Sequence, residues 1–242
     1  MAAWVNTAAA PQVLVADKAD QVQVAEQTTE TTSVKATSKQ PASKTSASLV
    51  LAKVQAFYDG VGDIHANFRQ SYANPLYGTH TVRKGNVQLK KPGMMYWDYE
   101  GAGDADFYAD GRKLCVVEHD TRQVVSQDIS NNASLTGAMK FLFGGEQLTQ
   151  DFLVRMAGEK LISRYGMDGH WIIEMKPKKS NENYKKLLLV VSEKTGQVDA
   201  FVVLNQDDST NHFELSDIRL NSGIKDEQFS CTVPKGYIET QG

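Results

Sequence analysis

From Ile64 onward, apolar and polar positions alternate with a period of two through most of the chain. Ile64, Ala66 and Phe68 interleave with His65, Asn67 and Arg69. Val87 and Leu89 interleave with Gln88 and Lys90, and Met95, Trp97 and Tyr99 with Tyr96, Asp98 and Glu100. This pattern predicts half-buried strands, each with one face hidden. Turn signals come at strand-length spacing. Asp110-Gly111 joins 105–110 to 112–118, and Asp168-Gly169 joins 161–167 to 170–176; both dipeptides suit type I′ hairpins. Lys194-Thr195-Gly196 separates 185–191 from 197–205, and Asp207-Asp208-Ser209 separates that strand from 212–220. A last strand, 228–233, stops at Pro234. The sum is roughly ten antiparallel strands, neighbour pairing with neighbour.

Helical spacing appears in two places. Val50, Val54, Phe57 and Val61 follow the candidate N-caps Ser46 and Ser48, with Gly60 as a stop. In mid-chain, 134–143 reads as a short helix capped by Asn132 or Ser134 and ended by Gly144-Gly145. Residues 147–156 fit either a further helical turn or a strand through Phe152, Val154 and Met156. One leading helix, a long meander and a helical insertion predict a mainly β (α+β) fold. The expected form is a strongly curved antiparallel sheet with helices covering its open side.

Composition then divides the chain. Residues 1–48 contain no Gly, Ile, Phe or Tyr, and all 18 glycines lie beyond them. A stretch such as 26–33 (Glu-Gln-Thr-Thr-Glu-Thr-Thr-Ser) has too little apolar surface to offset the entropy of ordering it. Residues 1–48 are therefore expected to be a disordered tail or tether, and 49–242 a single folded domain. A helix over 12–27 is the rival reading, and its β-branched valines disfavour it. Ala8-Ala9-Ala10 looks like the small-residue cleavage site at the end of a signal peptide, without the basic and apolar regions that precede one.

Charge and motifs narrow the function. A net charge of −3 and a pI of about 6.0 give no electrostatic footprint for nucleic acid. Mean hydropathy is −0.40, and no apolar run approaches the ~18 residues a spanning helix needs. Cys115 and Cys231 allow at most one bridge, if their strands meet. The five histidines, His65, His80, His119, His170 and His212, form no HxH, HxxxH or HExxH pair, so no metal site is expected. No GxSxG elbow, Walker loop or strand-linked GxGxxG appears. Cys115 lies in an apolar strand without a neighbouring base. Neither an enzyme nor a cofactor is expected. What stands out is bulk: aromatic and methionine side chains that are numerous for one sheet. They fit a filled core. They fit equally a cavity lined for an irregular apolar ligand.

A resemblance separates these two readings. The segment 85–99, Gly-Asn-Val-Gln-Leu-Lys-Lys-Pro-Gly-Met-Met-Tyr-Trp-Asp-Tyr, resembles the signature of the outer-membrane lipoprotein carrier family, LolA. Further segments resemble that family in the expected order: 64–70 its first strand, 109–114 its Ser-Asp-Gly-Lys-x-Leu hairpin, 120–124 its Gln-Val strand, 134–145 its lid helix, and 229–236 its closing Phe-x-Phe-x-x-Pro-x-Gly. The likeness spans about 49–240.

The resemblance implies an unclosed antiparallel half-barrel of about ten to eleven strands with a helical lid over an apolar cavity. It implies a monomeric periplasmic carrier that takes acylated lipoproteins from an inner-membrane ABC transporter and passes them to an outer-membrane receptor. On that reading Phe68, Leu89, Met95, Trp97, Tyr99, Phe107, Met139, Leu142, Phe152, Phe201 and Phe213 line the acyl cavity. Lys91 stands where the family carries an arginine that latches the lid; lysine lacks the planar fork for a bidentate clamp, so a weaker latch is expected. Met95 replaces a cavity-wall aromatic, which implies a roomier pocket. Two alternatives are a related half-barrel that binds another lipid or senses mislocalised lipoproteins, and an enzyme on the same scaffold. The first calls for a regulatory domain and the second for a polar triad; the sequence displays neither.

Overall fold

Ser46 opens the first helix. Its hydroxyl accepts a hydrogen bond from the Leu49 backbone N–H at 3.3 Å, as an N-cap does. Helix α1 (Ala47–Asp59) follows and ends at Gly60. Val50, Leu51, Val54 and Tyr58 form its buried stripe, spaced by three and four residues. The computed structural model describes residues 45–101, 103–129, 151–179 and 184–241. Residues 1–44 of the expected tail and the expected lid helix at 134–143 lie outside them; the tail's last residues, 46–48, instead open α1.

Among the described residues the chain then forms twelve strands: β1 (Asp63–Asn74), β2 (Thr79–Lys90), β3 (Met94–Tyr99), β4 (Ala105–Asp110), β5 (Lys113–Glu118), β6 (Gln123–Asp128), β7 (Phe152–Met156), β8 (His170–Pro177), β9 (Tyr184–Ser192), β10 (Val198–Asn205), β11 (Thr210–Leu220) and β12 (Ile238–Gln241). They make one open sheet in the order β12-β6-β5-β4-β3-β2-β1-β11-β10-β9-β8-β7. The fold is thus mainly β and the sheet does not close.

Two expected strands take another form. Residues 161–167 are not a hairpin arm; Glu159–Tyr165 is a helix, α2. Leu161 and Tyr165, four apart, reach the sheet together from a helix, and β8 pairs instead with β7. Residues 228–233 are not a strand either. Asp226–Phe229 is a 3-10 turn whose buried Phe229 packs beside β3 and β4. The alternation of Phe229 and Cys231 is satisfied by that plug and by a disulfide, since Cys231 bonds Cys115 of β5 with 6.2 Å between their Cα atoms. Neighbour pairing also fails twice. β1 pairs with both β2 and the distant β11, and β12 joins β6 in parallel.

The sheet's two faces are covered differently. One face, called inner here, carries Ile64, Ala66 and Phe68 of β1, Val87 and Leu89 of β2, Trp97 of β3 and Phe213 of β11. These belong to one buried cluster with the α1 stripe. On the outer face, α2 packs over Ile172, Leu188, Val190, Ala200 and Val202. The disulfide-tied C-terminal segment covers Cys115, Val117 and Val124 at the other end. Among the described residues no helix is long and apolar enough to cross a membrane.

Candidate apolar site on the inner face

Strand register gathers the aromatic residues. Phe68 lies opposite Gly85, and Gly85 opposite Tyr99. Trp97 lies opposite both Val87 and Phe107. Side chains directly across an antiparallel ladder share a face, so all of these point the same way. The Phe68 ring centre is 4.8 Å from that of Trp97, 4.9 Å from Tyr99 and 6.1 Å from Phe213. Trp97 meets Phe213 edge-on at 5.3 Å, and Phe213 stacks on Phe201 at 4.7 Å. Gly85 makes this possible. A Cβ there would overlap the Asp98 carbonyl oxygen and come within 2.7 Å of the Phe68 ring.

The remaining expected wall residues flank this cluster. Tyr99 reaches Phe107 at 6.4 Å. Leu89 and Met95 face each other near the β2–β3 turn. Phe152 of β7 lies stacked beside Tyr184 at 6.5 Å. All are buried in the same cluster. Met139 and Leu142 lie outside the described residues.

Lys91 does not stand free. Its Nζ donates to the Tyr58 carbonyl at 2.6 Å. The Tyr58 carbonyl, in the last turn of α1, also accepts from the Val61 N–H at 3.1 Å, and the C-terminal end of the helix attracts a cation. The Tyr58 hydroxyl accepts from the Val198 N–H at 3.1 Å. Lys91 and Val198 therefore fix the end of α1 between two distant strands. The expected lid segment is not among the described residues, so the contact seen is with α1.

Sequence reasoning missed a polar chain inside this face. Tyr99 donates its hydroxyl to Gln70 Oε1 at 2.8 Å, and Gln70 Nε2 donates to Asn211 Oδ1 at 2.6 Å. All three are buried. The signal was present: Gln70 continues the inward series Ile64, Ala66, Phe68, and Asn211 stands two residues before Phe213 on the same face. A polar residue at an inward position calls for an explanation.

The outer face offers different chemistry. A groove of about 560 Å³ lies between Leu153, Leu204 and the cations Arg155, Lys176, Lys185 and Lys186. Its Glu174 side chain is 5% exposed and accepts from Arg155 Nε and from Lys186 Nζ at 2.7 Å. Burial pushes this carboxyl up, but the bonds from Lys186 and Arg155 outweigh it and leave it below the ordinary value. Among the described residues no three His, Cys, Asp or Glu side chains are placed to hold a metal. His119 and His170 each have both ring nitrogens engaged, His119 by Tyr237 and Asp106 and His170 by Asp199 and the Asp168 carbonyl.

The described residues thus form one open, mainly antiparallel sheet whose aromatic inner face packs against α1. Residues 59–232 match the family model "Outer membrane lipoprotein carrier protein LolA", and the chain belongs to that family. It is similar to the outer-membrane lipoprotein carrier protein of Cupriavidus necator, 24% identical over 76% of this chain and 84% of that one. It is similar also to the carrier of Legionella pneumophila strain Lens, 25% identical over 80% and 89%. Among solved structures, an uncharacterized conserved protein from Thermus thermophilus matches 81% of this chain and 99% of its own at 10% identity, with a TM-score of 0.51. A LolA superfamily protein from Nitrosomonas europaea matches 77% and 98% at 13% identity, with a TM-score of 0.43.

Proposed function

We propose that this protein is a periplasmic lipoprotein carrier, a binding protein and not a catalyst. It receives acylated lipoproteins from an inner-membrane ABC transporter and hands them to an outer-membrane receptor. The observation that supports this most is the continuous aromatic face built by Phe68, Trp97, Tyr99, Phe107, Phe201 and Phe213 from five strands. Each methylene of an acyl chain gains about 0.8 kcal/mol when it leaves water. A lipoprotein crossing an aqueous compartment therefore needs such a wall, and Leu89, Met95 and Phe152 extend it.

Release demands that binding be limited. The polar ties at the end of α1, Lys91 to the Tyr58 carbonyl and Val198 to the Tyr58 hydroxyl, are few, which suits a cover that opens at modest free-energy cost. The test is to incubate the purified chain with inner-membrane vesicles carrying labelled lipoprotein, and to analyse by mass spectrometry what co-purifies from the periplasm. Soluble 1:1 lipoprotein complexes are the expected result. A protein that purifies empty and releases nothing from the vesicles overturns the reading.

A further inference from the structure

The buried polar chain ends on an unused donor. Asn211 is 2% exposed, and its Nδ2 has no hydrogen-bond partner among the described residues. An unpaired buried amide is unfavourable, so the position calls for a ligand. The chain also has a direction. Tyr99 gives its proton to Gln70, and Gln70 gives its own to the Asn211 oxygen. The far end is the Tyr99 phenol, which burial keeps protonated and able to donate. Every link runs toward Asn211, which leaves an N–H and not a lone pair to be satisfied.

The surroundings say what it takes. Asn211 lies opposite Tyr72 and Val203 and two residues from Phe213. From the Tyr72–Asn211 pair, β1 runs past Phe68 to Ile64, which faces Leu89. Eight residues at about 3.3 Å each make this apolar track roughly 26 Å long, enough to lay out an extended fatty-acyl chain. A ligand fitting one donor at the end of an apolar track is a chain that ends in a carbonyl acceptor. We propose that Asn211 Nδ2 binds the ester carbonyl of an acyl chain and so sets its direction, with the carbonyl by Asn211 and the methyl end by Leu89 and Met95. This rests on the carrier reading and adds to it a polar subsite that fixes the register of the cargo.

The test uses the full chain with an apolar fluorescent dye in the face, displaced by methyl palmitate or by octadecane of similar length. The wild type is expected to prefer the ester about tenfold, the worth of one hydrogen bond. In Gln70→Leu/Asn211→Leu, which removes both amides and leaves every aromatic of the wall in place, the preference disappears while octadecane still binds. A wild type that binds both equally, or a preference that survives in the variant, overturns the subsite alone. A wild type that binds neither overturns the carrier reading with it. A second measurement needs no variant. The infrared carbonyl band of ¹³C-labelled methyl palmitate bound to the wild type should move to lower frequency than in hexane. An unshifted band overturns the proposal whatever the variant does.

Discussion

The Lys91 ammonium binds the Tyr58 carbonyl at 2.6 Å, which joins the β2–β3 turn to the last turn of α1 across 33 residues of chain. Lys91→Ala is therefore expected to lower stability by about 1–2 kcal/mol, the range for a hydrogen bond to a charged group at a partly wet site. It should also speed apolar-dye entry, because α1 covers the inner face. Lys91→Arg should preserve both properties or strengthen them. Urea denaturation and stopped-flow dye binding check this, and three indistinguishable proteins would refute the latch.

Gly85 admits the Phe68 ring by having no side chain. Gly85→Ala should cost about 3 kcal/mol, the upper range for overpacking, since the Asp98 carbonyl on the far side is backbone and has no rotamer to yield. Chemical denaturation gives the magnitude. A change below about 1 kcal/mol would show that the Phe68–Trp97–Tyr99 group repacks freely.

The Cys115–Cys231 bridge closes a loop of 116 residues. A loop of that length predicts about 2–5 kcal/mol lost in Cys115→Ala/Cys231→Ala through the freed unfolded chain. The loss should be accompanied by faster hydrogen exchange in β12 and the 3-10 turn, the segments that the bridge holds to the outer face. Exchange measured by mass spectrometry, segment by segment, decides whether the effect is local to them.

His212 supplies a pH dependence. Burial disfavours its charged form, and with Arg69 and Arg164 nearby its pKa falls below the usual 6.5 despite Glu214. The unfolded chain then binds the proton more readily than the folded one. Stability is complete above about pH 6.5 and declines as pH falls from there toward the folded pKa. The Tyr165 ring of α2 lies 5.1 Å away edge-on, so α2 should loosen first. His212→Gln should flatten the slope between pH 7 and 5. The carboxylates Asp63 and Glu174, both lowered, act in a separate window: their contribution is full above about pH 5 and is lost as pH falls from there toward their folded values. Denaturation midpoints across pH 3–8 resolve the two steps.

Much of the sheet was legible because a strand that hides one face must alternate. β1, β3 and the second half of β2 follow that pattern, whereas β10 is buried on both faces and does not. The short elements were less so. Over seven residues, Leu161 and Tyr165 fit a strand and a helix alike, and only the apolar outer surface of β8, β9 and β10 selects the helix. Phe229 and Cys231 alternate as a strand would, yet one plugs the sheet and the other bonds Cys115. The Gln70–Asn211 pair was hidden for another reason: its partners are 141 residues apart.

By itself the sequence determined which side chains point inward, since a period of two follows from the local geometry of an extended backbone. It determined also the turns, where Gly111 and Asp208 adopt the positive φ angles that the hairpins need. Only the tertiary structure decided which strands meet. It placed β11 beside β1, so that Phe213 joins Phe68 and Trp97. It brought Lys91 to the end of α1 and left the Asn211 amide donor open within an apolar wall. Long-range pairing depends on how whole faces bury one another, and no local period carries that information.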